Sequence, residues 1–198
     1  MSGSDRRAQL VEVGRAVFAE RGYDGATIEE IAERARVSKP IVYGHFGGKE
    51  GLYAVVVDRE VDHIVRRITE VISTGPPRER LERAALEFLT YARDRSEGFA
   101  VLWRDTPAGL PGLLSDVAER VGQIFVSEFR RAGYDPEAAP IYAQALVGMV
   151  TFVGQWWTKT RTPDAEEVAA NIVALAWMGL RHLPKHPTLA IDPSPGDP

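Results

Sequence analysis

Residues 37–53 read VSKPIVYGHFGGKEGLY, and the fold turns on this stretch. Lys39, Tyr43 and His45 crowd into a short segment containing a proline. Gly47 and Gly48 then break it, and an apolar helical pattern restarts. The residues are too mixed for a core helix and too periodic for a loop. Ser38 suits a helix N-cap, and Pro40 falls in the first turn, where a missing N–H costs little. The spacing predicts a short helix ending near Phe46. Just upstream, TIEE at residues 27–30 has the form of a capping box. The Thr27 hydroxyl would accept from an orphan N–H while Glu30 reaches back to Thr27. That opens another short helix burying Ile28, Ile31 and Ala32, with Val37 marking the turn between the two.

Two short helices joined by a tight turn, the second polar outside, describe a helix-turn-helix whose second helix enters a DNA major groove. The polar residues then have work to do. Ser38 and the free N–H groups beside it can take a phosphate. Lys39, Tyr43, His45 and Lys49 are donors that can pin the DNA backbone. Pro40, Ile41 and Gly44 would approach base edges, where small or apolar surfaces meet thymine methyls. Thr27 and Arg36 complete the candidate DNA-binding set. Val42 and Phe46 belong to the core. Taken singly, each polar residue fits a surface turn of a helical bundle; the pattern as a whole is far more specific.

Working outward, every segment reads as helix. Helix 1 is expected over about 6–21, with Gly22 at a position needing positive φ. Helix 4 is expected over about 49–72, with Leu52, Val55, Val56, Ile64, Ile68 and Ile72 inward. After STGPP at 73–77, helix 5 buries Leu81, Ala85, Phe88, Leu89 and Ala92. Helix 6 covers about 99–104, and helix 7 presents Leu114, Val117, Val121, Ile124 and Phe125. Asp135-Pro136 and Thr162-Pro163 are expected to cap helices 8 and 9, which end near Lys159 and Leu183. The tail from Pro184 is Pro-rich and expected to be disordered. The fold class is all-α, about nine helices. Its expected parts are residues 1–47, residues 48–183 and a tail, 184–198.

Bulk composition narrows the function. The 198 residues carry 24 basic and 28 acidic side chains, net −4. Residues 1–50 hold 8 of each, so any nucleic-acid surface is local. No cysteine is present, which removes disulfides, thiolate nucleophiles and zinc–thiolate sites. The run Ile172–Leu180 is about half of the roughly 18 residues a membrane span needs. The expectation is a soluble, cytoplasmic protein with no membrane partner. His182 and His186 are separated by Pro184, which spoils a shared face for a metal. GGKEG lacks P-loop spacing, and DREVD at 58–62 reads as a solvated helix face. No serine sits in a nucleophile elbow. The reading is not an enzyme and calls for no cofactor and no metal. A lipid carrier or a bare interaction module would leave helices 2 and 3 unexplained.

The stretch TIEEIAERARVSKPIVYGHFGGKEGLY, residues 27–53, resembles the N-terminal domain of the TetR family of transcriptional regulators. The family's pattern is met by Thr27, Ile31-Ala32, Ala35, Val37-Ser38, Tyr43, His45-Phe46 and Lys49, and FAERGY at 18–23 matches as well. One departure is Arg36, where the family usually has glycine. It must take a left-handed conformation at roughly 1–2 kcal/mol. Gly44 inside the recognition helix costs about 1 kcal/mol relative to Ala and offers no side chain to a base.

The resemblance implies a double-stranded DNA operator, a homodimer through helices 8 and 9, and a small-molecule effector bound by the C-terminal part. Repressor is the family's commonest role. The residues are compatible with this. Helix 8 has two apolar stripes: Tyr142, Leu146, Val150, Val153 and Trp157, and Ile141, Ala145, Met149, Phe152 and Trp156. One can serve the subunit's own core; the other needs a second surface. Helix 9 shows Val168, Ile172, Leu175 and Gly179 as its expected contact face. Candidate effector-binding residues are Phe88, Tyr91, Phe99, Trp103, Phe125, Phe129, Met149 and Phe152, with Arg104 and Asp105 as gate or anchor. The layout is similar to that of actinobacterial regulators of lipid metabolism, which implies an acyl-type effector.

Overall fold

A computed structural model describes residues 2–103 and 113–189, with side chains from 118 onward in the second span. Among them the chain is helical with no strand. The helices are α1 (Gly3–Gly25), α2 (Ile28–Arg34), α3 (Lys39–Phe46), α4 (Lys49–Ile72) and α5 (Pro77–Asp94). They continue as α6 (Ser96–Trp103), α7 (Leu113–Ala132), α8 (Ala139–Thr160) and α9 (Ala165–Arg181). A 3-10 turn, Pro136–Ala138, leads into α8. The expectations for Leu114, Val117, Arg104, Asp105 and residues 190–198 lie outside the described residues.

Helix boundaries follow local chemistry, with three corrections. Helix α1 starts earlier than expected because Ser2 and Asp5 form a capping box there. Gly22 takes φ 72°, as its position demanded, and one further helical turn follows it. At α2 only half of the expected capping box forms. Thr27 accepts from Glu30 N–H at 3.2 Å, while the Glu30 carboxylate turns to Arg34 and Arg21. Helix α9 is capped by Asp164, which accepts from Glu167 N–H at 2.8 Å, rather than by Thr162-Pro163. A carboxylate at the first turn also suits the positive end of the helix dipole.

Two apolar clusters form the interior. The first joins Leu10, Val17 and Phe18 of α1 to Ile31, Val42, Leu52, Tyr53 and Val56. It therefore extends past residue 47 into the first two turns of α4. It also takes in Val101 of α6, whose carbonyl accepts from the buried Tyr53 hydroxyl at 3.2 Å. Packing is close: a Cβ on Gly14 would lie 3.1 Å from Leu52. The second cluster gathers Ile64, Phe88, Leu89, Phe99, Leu102, Trp157 and the inner face of α9. Helix α6 contributes to both. In eight residues it sends Val101 into one core and Phe99 and Leu102 into the other.

Candidate functional site

The helix-turn-helix is built as its sequence requires. Val37 N–H donates to Ala32 O at 2.9 Å, closing the turn, and Arg36 holds φ 55°. The turn keeps its shape without glycine, and the Arg36 side chain is left exposed. Gln9 of α1 braces the turn through the Ala35 carbonyl at 3.2 Å. Val42, fully buried, anchors α3 and turns its opposite face to solvent. That face carries Pro40, Ile41, Tyr43 and Gly44; Ile41 is 39% and Tyr43 52% exposed. Apolar and aromatic groups so exposed on a core-anchored helix are a surface awaiting a partner. Ser38 occupies the N-cap position, but its hydroxyl makes no capping bond and remains available; of the first-turn backbone groups, Pro40 has no N–H and Ile41 N–H donates to Ser38 O at 3.0 Å.

The remaining candidates there are partly engaged. His45 is half-buried, and Phe46 is also half-buried, with the Arg7 guanidinium 5.0 Å from its ring centroid. Lys39 pairs with Glu29 across α2 and α3, and this hydrogen bond holds the Glu29 carboxyl below its ordinary range. Arg34 ties α2 to α1 by a forked pair with Glu20, at 2.9 and 2.7 Å. Lys49 is engaged within the chain. It was expected to point its ammonium at the DNA backbone. Its Nζ instead donates to Tyr23 O at 2.9 Å, Ala26 O at 3.2 Å and Asp24 O at 3.4 Å. The same group lies 4.5 Å from the centroid of the Tyr23 ring. Three donors meet three carbonyls at the end of α1, so Lys49 fastens the start of α4 to that end.

Beyond this domain, a cavity of about 570 Å³ opens among α4, α5, α7, α8 and α9. Such a volume suits a small organic ligand, and the wall is mostly apolar. Of the expected effector residues, Phe88, Trp103, Phe125 and Phe129 line it. Four others do not. Tyr91 is fully buried on the far side of α5, its hydroxyl donating to Glu60 at 2.9 Å. Phe99 stacks behind Trp103 at 4.5 Å, and Met149 packs within the second cluster. Phe152 is 75% exposed on the outer face of α8. The sequence reading missed the contribution of α9, including Ile172, Val173 and Trp177. Helix α9 is apolar on two sides, and that was the available signal. Val168 and Ile172, expected at a contact face, are in fact buried; Leu175 and Met178 are the exposed pair.

Between the cavity and the helix-turn-helix sits an ionic junction. DREVD is not a wholly solvated face: Asp58, Arg59 and Asp62 are exposed, but Glu60 is 1% exposed. Glu60 falls four residues from both Val56 and Ile64, on the inner stripe of α4. Its carboxylate accepts from Arg95 at 2.8 and 3.3 Å and from Tyr91, with Arg15 of α1 3.7 Å away. Arg15 also pairs with Glu97 of α6 at 2.7 Å. A Cβ on Gly98 would collide with the Glu60 carboxylate, so only glycine lets α6 close against α4. Burial, followed by the nearby Glu60 charge, pushes the Tyr91 hydroxyl far up, keeping it a neutral donor. His63 nearby is held below its ordinary range by burial first and then by the Arg95 charge.

Comparison with known proteins agrees with this geometry. Residues 10–56 match the family model described as bacterial regulatory proteins, tetR family. The chain is 31% identical over 186 residues to the HTH-type transcriptional activator FasR of Mycolicibacterium smegmatis, covering 91% of this chain and 85% of FasR. It is 34% identical over 80 residues to the HTH-type transcriptional repressor KstR2 of Mycobacterium tuberculosis, 40% of each chain. A TetR-like transcriptional regulator from Rhodococcus sp. RHA1 superposes with TM-score 0.74 at 26% identity, over 89% of this chain and 96% of that one.

Proposed function

Because the chain belongs to the TetR family and is a DNA-binding transcriptional regulator, we propose that it acts as a homodimeric repressor, released from a near-palindromic operator by an apolar, acyl-type effector. The DNA face is Ser38, Pro40, Ile41, Tyr43 and Gly44, flanked by Thr27, Arg36, Lys39 and His45. Lys49 positions this face from behind. The homodimer reading is supported by Ile141, Phe152 and Trp156 of α8 and Leu175 and Met178 of α9, all at least half exposed. A second copy would cover both stripes about a two-fold axis, spacing two recognition helices for two half-sites.

The observation that carries the switch is the double membership of α6. Trp103 forms cavity wall, while Val101, two residues earlier, is part of the helix-turn-helix core. Ligand packed against Trp103 would displace α6, and α6 is tied to α1 through Glu97–Arg15. The ligand shifts the equilibrium only through its differential affinity for the two arrangements. A coupling of about 1–3 kcal/mol changes DNA affinity 5–150-fold. An activator reading has its own support, since FasR, matched along most of the chain, carries that name. In that reading the same face binds DNA and only its promoter position differs.

The test uses the full-length protein and genomic DNA fragments that it selects. We expect light scattering to give a dimer at micromolar concentration, and Phe152→Glu with Trp156→Glu to give monomer. Fluorescence anisotropy on a selected fragment should show affinity falling steeply with salt, by about 10³–10⁵ between 50 and 200 mM if 6–10 phosphates are contacted. A stable wild-type monomer, or selection of no common sequence, would sink the proposal. Transcription from the selected promoter, with and without the protein, separates repressor from activator.

A further inference from the structure

Resting on the cavity reading above, we infer that the ligand is an elongated apolar molecule carrying an oxygen hydrogen-bond acceptor, such as a carbonyl, which receives the indole N–H of Trp103. The side chain is fixed on two sides, stacked on Phe99 at 4.5 Å and edge-on to Phe88 at 5.4 Å. Its ring lines the cavity, yet its Nε1 is buried with no hydrogen-bond partner among the described residues. Tryptophan can only donate there, so the missing group is an acceptor. A buried donor left unpaired is disfavoured, and native proteins seldom leave one without a purpose.

Among the described residues no polar group meets that need. Thr151, on the same wall, turns its hydroxyl back to the Val147 carbonyl at 2.7 Å. Phe88 and Phe99 offer only ring faces and edges. At the other end of the wall on α5, Arg80 is paired with Glu128 at 3.3 Å. Eight residues of helix separate Arg80 from Phe88, about 12 Å at 1.5 Å per residue. A ligand spanning that length meets a mostly apolar wall, with the Trp103 indole N–H as a neutral donor and Arg120 of α7 also on the wall.

Benzophenone and diphenylmethane make a matched pair of probes, alike in shape and differing by C=O against CH2. Their affinities for the full-length protein, and for Trp103→Phe, give a ratio of ketone to hydrocarbon binding in each. We expect that ratio to fall about tenfold in Trp103→Phe, whatever loss of affinity the two probes share. An unchanged far-ultraviolet circular dichroism spectrum shows that the variant is folded. In a spectrum of ¹⁵N-tryptophan protein, which has four indole signals, the one absent from Trp103→Phe should move downfield with benzophenone and not with diphenylmethane. An equal ratio in both proteins, with no ketone-specific shift, overturns the acceptor and leaves the cavity standing. Binding of neither probe overturns the cavity reading and this inference with it.

Discussion

The two cores of this molecule are built to opposite specifications. Around α1 to α3, Leu10, Val17, Ile31, Ala35, Val42 and Leu52 are all completely buried, and even Gly14 is used to let Leu52 approach. Around α5, α7, α8 and α9, comparable apolar side chains surround about 570 Å³ of space, and five large ones face outward. The first core fixes one shape for a face that must fit DNA. The second leaves apolar surface uncovered inside and outside, as the proposed ligand and second copy would require. The helix-turn-helix obtains its rigidity from filled volume; the rest encloses unfilled volume.

This contrast can be broken by matched truncations. Leu52→Ala should cost about 3–5 kcal/mol, because the first core has no slack to collapse into the void. Urea denaturation of the full-length protein reads this, and loss below 1 kcal/mol would show that core to be loosely packed. Glu60→Gln comes next, at about 2 kcal/mol, since Arg95 loses its counter-charge while Arg15 keeps Glu97 and Tyr91 keeps an acceptor. The same denaturation checks it, and a neutral effect would demote the junction to ornament. Ile68→Ala, on the cavity wall, should cost only about 1–2 kcal/mol and leave ligand-free operator affinity intact. If it matched Leu52→Ala, the two cores would not differ in kind.

Two smaller effects sharpen the picture. His63 has its pKa lowered in the folded state by burial and the Arg95 charge, opposed by Glu60 and supported by Arg67 and Arg66. The unfolded chain therefore binds a proton near pH 6.5 that the folded chain resists. Stability should be full above that pH and decline as pH falls through it toward the folded value. His63→Gln should flatten that part of a stability–pH series; an unchanged slope would assign the decline elsewhere. Lastly, Lys49→Ala should weaken operator binding modestly while leaving the slope of log affinity against log salt unchanged. A phosphate contact from each subunit of the proposed dimer would lower the magnitude of that slope by about 1.8. Observing that drop would return Lys49 to the DNA face.

What was legible from sequence was what local chemistry determines. Thr27, Ser38, Pro40 and the Gly47-Gly48 break fixed α2 and α3 because caps and breakers act within a few residues. The two stripes of α8 were separable for a similar reason, since helical period alone sorts Trp157 from Trp156 and Phe152. What distant chain supplies was not legible. Lys49 finds carbonyls 23 to 26 residues away, and no local signal names them. Helix α9 is apolar on two sides, so periodicity could not say which side met the cavity. Glu60 was the avoidable error: its position between Val56 and Ile64 on one stripe was visible, but its charge was read before its place.

The absence of a side chain at Gly98 has a genetic meaning. The hydrogen there is what allows α6 to close on the Glu60 carboxylate. A methyl group at that point would wedge α6 outward from within, as a ligand would from the cavity. Gly98→Ala should thus behave as a permanently induced allele: folded and dimeric, with operator affinity already low before any small molecule is added. One carbon atom, written into the gene, would stand in for the signal, and a screen for unregulated transcription would recover it with no knowledge of the natural effector.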